Sequence, residues 1–148
     1  MRTILVIIIA LCVAPAVAYA CRCLKPQVAE AADRAKVVFA GTISDVRKTT
    51  ICNPQRPKQC DTELTYTVKV DGVFKGSVDK IVKINPGGRG LQTSCHTSLG
   101  SKVKNTRWLF FMSSPKQPFF LLLCDGTQRA TDVAIETITK KLGTPKAP

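Results

Sequence analysis

The triplet Cys21-Arg22-Cys23 carries the most distinctive chemistry in this chain. Residues Met1 to Ala20 read as a secretory signal. Arg2 supplies a short positive region, Ile4 to Ala14 an apolar run, and Ala18-Tyr19-Ala20 a small-x-small cleavage site. Cleavage there makes Cys21 the first residue and frees its α-amine beside its own carbonyl. An amine nitrogen and a carbonyl oxygen on one residue close a five-membered ring with a metal ion. An unperturbed α-amine has a pKa of about 7.7–8.0, so a useful fraction is neutral at physiological pH. A lipoprotein signal would also put cysteine after the cut, but it requires a Leu-like residue three positions earlier, where Ala18 stands.

The thiols point to an oxidising compartment. Of seven cysteines, Cys12 leaves with the signal, and Cys21, Cys23, Cys52, Cys60, Cys95 and Cys124 remain. An even count in a small secreted chain predicts three disulfides, and six cysteines admit fifteen pairings, among which sequence alone does not choose. Cys21 and Cys23 are too close to bond each other without strain, so each is expected to reach a distant partner. Cys52 and Cys60 are close enough to close a hairpin tip. A metal–thiolate cluster is disfavoured by the compartment and by the single histidine, His96, read as a surface residue.

Other chemistries find little support. No triad or phosphate loop is evident, and Gly87-Gly88-Arg89-Gly90 lacks the Lys-Ser/Thr that would follow in a P-loop, so the chain is read as a non-enzyme with no cofactor of its own. The formal net charge of +12 falls by one, to +11, when Arg2 is removed. That charge suits a sulfated glycosaminoglycan or an acidic partner as well as it suits a plain basic surface. Lysines and arginines are dispersed with no run of five, so no nucleic-acid partner is expected. The apolar run of the signal, about eleven residues, is well under the roughly twenty that span a bilayer, so the mature chain is expected to be soluble, secreted and monomeric.

These groups need a scaffold to position them. Removing 20 of 148 residues leaves 128, enough for one domain. Val28, Ala31, Ala32 and Ala35 recur at helical spacing, predicting a short helix over Gln27 to Lys36 behind Pro26. Val37 to Val46 predicts a strand bent near Gly41, and Lys48 to Asp61 a turn region. Glu63 to Phe74 predicts a strand with Leu64, Tyr66, Val68 and Val70 on its apolar face. Ile81 to Ile84 adds a third strand, after which a Gly/Ser/Thr/Lys-rich connector runs from Asn85 to Asn105 and contains Cys95. Thr106 to Met112 and Phe119 to Cys124 read as a second hairpin around Ser113 to Pro118, with Trp108 in the core. Asp125 to Thr127 offers capping side chains for a C-terminal helix whose apolar positions are Ala130, Val133, Ala134, Ile138 and Leu142. Gly143 ends that helix, the Lys140-Lys141 pair compensates its last turn, and residues 144–148 are expected to fray. The predicted fold is mainly β: a five-stranded, OB-fold-like Greek-key barrel with a short N-terminal and a C-terminal helix, stapled by disulfides.

In their order and spacing, Cys21-x-Cys23 after a signal, Lys25-Pro26-Gln27, Ala35 to Gly41 (AKVVFAG), Phe74-Lys75-Gly76, Cys95 in a long connector and Cys124 closing a strand resemble the netrin-like module. Within it they resemble the N-terminal domain of the tissue inhibitors of metalloproteinases, over nearly all of the mature chain, residues 21–143. The resemblance implies Cys21–Cys95 and Cys23–Cys124 disulfides, with Cys52–Cys60 at the first hairpin. In the inhibitors a further cysteine sits in the first helix, which has none here, and their second domain has no counterpart.

The mechanism so implied is inhibition of a zinc metalloproteinase. The Cys21 α-amine and carbonyl would coordinate the protease's zinc, and the side chain of the second residue would enter the protease's S1′ pocket. Leu24 and Lys25 would extend along the cleft, with Gln92, Thr93 and Ser94 beside Cys95 flanking it. That second residue is small in the family; Arg22 instead points to an acidic or open S1′ site, since burying an unpaired charge is costly. A non-inhibitory secreted module that binds glycosaminoglycan or an acidic protein is the alternative.

Overall fold

Bulges curl the sheet around its core. The computed structural model describes residues 26–53, 55–86, 98–122 and 124–148. In chain order the elements are α1 (Val28–Arg34), β1 (Val37–Asn53), β2 (Arg56–Lys75), β3 (Ile81–Asn85), β4 (Arg107–Met112), β5 (Phe119–Phe120), β6 (Gln128–Arg129) and α2 (Asp132–Leu142). The strands make one six-stranded, mainly antiparallel sheet in the order β5-β3-β2-β1-β4-β6. Between Val38 and Asp45 the β1–β2 register shifts three times. Each shift adds bend and twist, and the sheet closes into a curled half-barrel. At Gly41 the strands approach so closely that a Cβ would lie 2.6 Å from Val68 Cγ1 and 2.8 Å from the Lys69 carbonyl oxygen. That contact gives the bend predicted near Gly41 its physical cause.

The curled sheet is buried on both faces where β1 meets β4. Inside, Phe39 stacks on Phe110 at 5.0 Å with Phe119 at 6.2 Å, and Ile43, Tyr66, Val68, Val82, Ile84 and Leu121 complete the core. Outside, Val38, Ala40, Leu109 and Phe111 lie under Ala31, Ala32 and Ala35 of α1 and Ala134 and Ile138 of α2. Double burial explains why β1 alternates only loosely in sequence, whereas Leu64, Tyr66, Val68 and Val70 of β2 share the inner face as expected. The alanines present little bulk, so the helices seat close to the sheet. Lys75 Nζ donates to the Ala32 carbonyl at 2.9 Å and the Asp33 carbonyl at 3.3 Å, satisfying acceptors at the end of α1. Trp108 is half-buried against the inner core; its Nε1–H donates to Thr106 Oγ1 at 2.8 Å, and the Arg129 guanidinium lies over its ring at 4.8 Å. Of the last-turn lysines, Lys141 pairs with Asp33 of α1 and Lys140 with Glu136.

Several expectations need correction. Most of the predicted turn region, Lys48 to Asp61, is strand: β1 runs on to Asn53 and β2 starts at Arg56, with Cys52 facing Cys60 and disulfide-bonded to it. Among the described residues no third strand pairs with that stretch, and Pro54 and Pro57 with the polar residues around them read as a turn. The second hairpin does not form. The two edges of β4 are taken by β1 and β6, so β5 pairs in parallel with β3, Ile84 facing Phe119. Where five strands are expected, the described residues form six, because the two-residue β6 is too short to show a period. The cap of α2 is Thr131, whose side chain accepts from the Ala134 N–H at 3.3 Å, and not the Asp125–Thr127 stretch. Starting there, α2 buries a stripe through Ala134 and Ile138 and leaves Val133 74% exposed. Residues 144–148, expected to fray, bridge to β2: Val73 N–H donates to Lys146 O at 2.9 Å and Lys146 N–H to Val73 O at 2.8 Å. Since β3 covers β2 only from Tyr66 to Lys69, the later β2 edge is open to this segment. Among the described residues no helix is long and apolar enough to cross a membrane.

Candidate functional site

The predicted site residues Cys21, Arg22, Cys23, Leu24, Lys25, Gln92, Thr93, Ser94 and Cys95 lie outside the described residues, as do the signal segment 1–20 and His96. What the structure gives is the frame from which they extend: Pro26, Asn85-Pro86, Ser98 and Cys124. Cys124 is disulfide-bonded, and since Cys52 and Cys60 pair with each other, its partner is not among the described residues.

The turn that carries Cys124 is built around Asp125. Its carboxylate accepts from the Leu122 N–H at 3.0 Å and the Thr127 N–H at 2.7 Å, spanning the cysteine with two hydrogen bonds. Burial pushes its pKa above the ordinary carboxylate range, against the opposing pull of the hydrogen bonds from Thr127 and Leu122. Thr127 Oγ1 in turn accepts from the Phe111 N–H of β4 at 3.3 Å, fastening the turn to the sheet. Gly126 follows with φ +91°. A Cβ there would stand 2.5 Å from Ala31 Cβ and 3.3 Å from Pro26 Cγ, so Ala31 of α1 and Pro26 leave no room at the glycine for a side chain. Beside this contact a cavity of ≈150 Å³ opens between α1 and the turn, with Ala31, Ala35, Phe111 and Leu122 as an apolar lining and Arg34 and Asp125 as its charged groups.

The connector begins and ends on the neighbouring strands. At its start, Asn85 O accepts from the Leu121 N–H at 2.9 Å, and Asn85 Oδ1 accepts from Thr65 Oγ1 at 3.0 Å. At its return, Ser98 Oγ lies 2.8 Å from the Tyr66 hydroxyl, which also accepts from the Leu99 N–H at 3.0 Å. A path of direct contacts and strand register therefore joins the frame: Pro26 to Gly126, the Asp125 turn back to Leu121, Leu121 to Asn85, Ile84 opposite Tyr66, and Tyr66 to Ser98.

Reading by residue type missed Asp125, Gly126 and Tyr66. Asp-Gly is a turn signal, so the pair at 125–126 was legible as a turn and not as a helix start. A tyrosine on the apolar face of β2 was a second signal, since its hydroxyl must find a partner when buried. Among the described residues no group of three or more His, Cys, Asp or Glu side chains is arranged to hold a metal ion. No protein-family model matches this chain, and no curated protein matches it.

Proposed function

We propose that this chain is a secreted, TIMP-like inhibitor of zinc metalloproteinases that binds with its own first residue. After cleavage behind Ala20, the Cys21 α-amine and carbonyl oxygen take two positions on the protease's zinc and displace its water. Arg22 enters the S1′ pocket, Leu24 and Lys25 follow along the cleft, and Gln92, Thr93 and Ser94 flank it. Cys21–Cys95 and Cys23–Cys124 disulfides hold the two stretches together, and fixing them in advance lowers the ordering cost of binding. The curled sheet, with its inner core and a helix near each end of the described chain, supports an OB-type barrel as the scaffold.

The observation that carries this reading is the shared frame. Pro26, which leads back to the Cys21 triplet, packs near Gly126, two residues after the disulfide-bonded Cys124, and Leu121 of the same segment bonds to Asn85, where the connector begins. An arrangement in which the N-terminus and the connector form one wedge requires those anchor points to be neighbours.

The test compares the mature chain beginning at Cys21 with the same chain carrying one added Ala before it, against a panel of zinc proteases. Inhibition by the first and its loss in the second is the expected result. Equal potency would sink chelation by Cys21. Arg22→Thr is expected to broaden the range of proteases inhibited, because it removes the charge that an apolar S1′ pocket excludes.

A second reading, binding to a sulfated polyanion, is favoured by one feature of the outer sheet face. Lys69 faces Ile81 and Thr67 faces Lys83 in the β2–β3 register, so two exposed lysines sit as diagonal neighbours, neither in an ion pair among the described residues. Retention on heparin that falls with salt, survives the added Ala and weakens in Lys69→Ala/Lys83→Ala would carry it.

A further inference from the structure

The geometry points to the cavity between α1 and the Cys124 turn as a binding site for a small apolar amine, its ring or short branched chain held by the apolar walls and its ammonium by the Asp125 carboxylate. This site is independent of the inhibitor reading above. A cavity of ≈150 Å³ admits a single aromatic ring. Ala31 and Ala35 of α1, Phe111 of β4 and Leu122 supply its apolar walls. The two alanines are short, so the helix leaves this gap against the turn unfilled.

The charge of the ligand follows from the two charged groups among the described lining residues, Arg34 and Asp125, which are not equivalent. The Arg34 guanidinium is paired with Glu30 one turn earlier on α1, and its side chain is 66% exposed, so its charge is already answered and reaches into solvent. Asp125 enters no ion pair among the described residues. Its oxygens accept from the Leu122 and Thr127 N–H groups, which are neutral donors. An ionised carboxylate offers about four acceptor sites, so capacity remains for a ligand. Burial without a cation raises the Asp125 pKa, as expected of a charge short of compensation. An ammonium supplies that compensation, whereas an anionic ligand meets the same carboxylate as a repulsion.

Ser113, directly after β4, adds a neutral hydroxyl to the lining, a further acceptor for an ammonium proton. Walls from α1, from the end of β4 and from the turn carrying the disulfide-bonded Cys124 all contribute, so an occupant touches three segments that meet only in the folded chain. Binding that needs all three walls in place favours the folded state by mass action. The amine therefore acts as a brace between α1 and the Cys124 turn.

The probe is benzylamine, an ammonium at pH 7, compared with benzyl alcohol and benzoate of similar size on the mature chain and followed by the amide resonances of Ala31, Ala35, Leu122 and Asp125. Saturable shifts at these amides are expected, with benzylamine bound about tenfold more tightly than benzyl alcohol, as one charge-assisted hydrogen bond implies. Benzoate is expected to bind more weakly than either. Asp125→Asn should bring benzylamine to the level of the alcohol, and Ala35→Leu, which fills the gap from the helix side, should abolish the binding of both. Absence of saturable shifts at these amides, benzoate bound as tightly as benzylamine, or a preference for the amine that persists in Asp125→Asn overturns the inference. Should neither variant fold, the order of the three probes on the unaltered chain decides it alone.

Discussion

Replacing Gly126 by alanine tests whether the contact between α1 and the Cys124 turn is as tight as its geometry indicates. Two costs add. The residue has φ +91°, where an L side chain is strained by roughly 1–2 kcal/mol. The new Cβ would also meet Ala31 Cβ at 2.5 Å, well inside contact distance. Ala31 is 2% exposed on a helix seated on Phe111, so it has no side-chain freedom with which to yield, and the backbone of α1 or of the turn must move. Overpacking of this kind costs about 1–3 kcal/mol, for a total of about 3 kcal/mol. Gly100 isolates the second contribution, since it has φ +87° but no atom within 4 Å of its ideal Cβ. Gly100→Ala is therefore expected to cost only the conformational share. The assay is guanidinium unfolding followed by the fluorescence of Trp108, the single tryptophan. Equal losses in the two variants, within about 0.5 kcal/mol, would refute the steric argument and leave the α1–turn contact as loose packing. Because Pro26 lies 3.3 Å from the same point, it is also expected to be displaced, and on the inhibitor reading proposed above Gly126→Ala would then weaken inhibition more than Gly100→Ala.

The Cys52–Cys60 bridge closes a loop of sequence separation 8, for which loop entropy gives about 2.5 kcal/mol. Since no third strand among the described residues pairs with that end of the β1–β2 ribbon, Cys52→Ser/Cys60→Ser is expected to quicken amide exchange at 48–52 and 60–64 while the Trp108 unfolding midpoint moves by much less than 2.5 kcal/mol implies; a full shift of that midpoint would show that the ribbon and the core unfold together. Asp125 sets a pH dependence whose sign follows from its raised pKa. The folded state binds this proton more readily than the unfolded chain, so between the ordinary carboxylate range and the raised value the contribution of Asp125 to stability grows as pH falls and is lost as pH rises. Asp125→Asn removes that dependence. The stability of the wild type relative to the variant should therefore increase between pH 7 and pH 4, and a difference that is flat or moves the other way would refute the assignment.

The sequence determined whatever depends on local pattern. The alternation at Leu64, Tyr66, Val68 and Val70 named the inner face of β2, and alanines at helical spacing named α1. Gly41 marked the bend, and the nearness of Cys52 to Cys60 marked the hairpin tip. Each is a property of a few adjacent residues, so the period survives without the rest of the molecule. Tertiary structure decided the pairings that depend on which edge is free. It gave β4 to β1 and β6 and sent Phe119 to β3, and it joined Lys146 to the β2 edge that β3 leaves open. It also decided which polar atoms are buried, making Asp125 the brace of the Cys124 turn and Tyr66 the anchor of the connector. No local pattern reports these, because an edge is open or a hydroxyl is buried only once distant segments have taken their places. The same contrast holds near the Cys21 triplet: its chemistry is legible in three residues, whereas the approach of Pro26 to Gly126, two residues after Cys124, arises only across the fold.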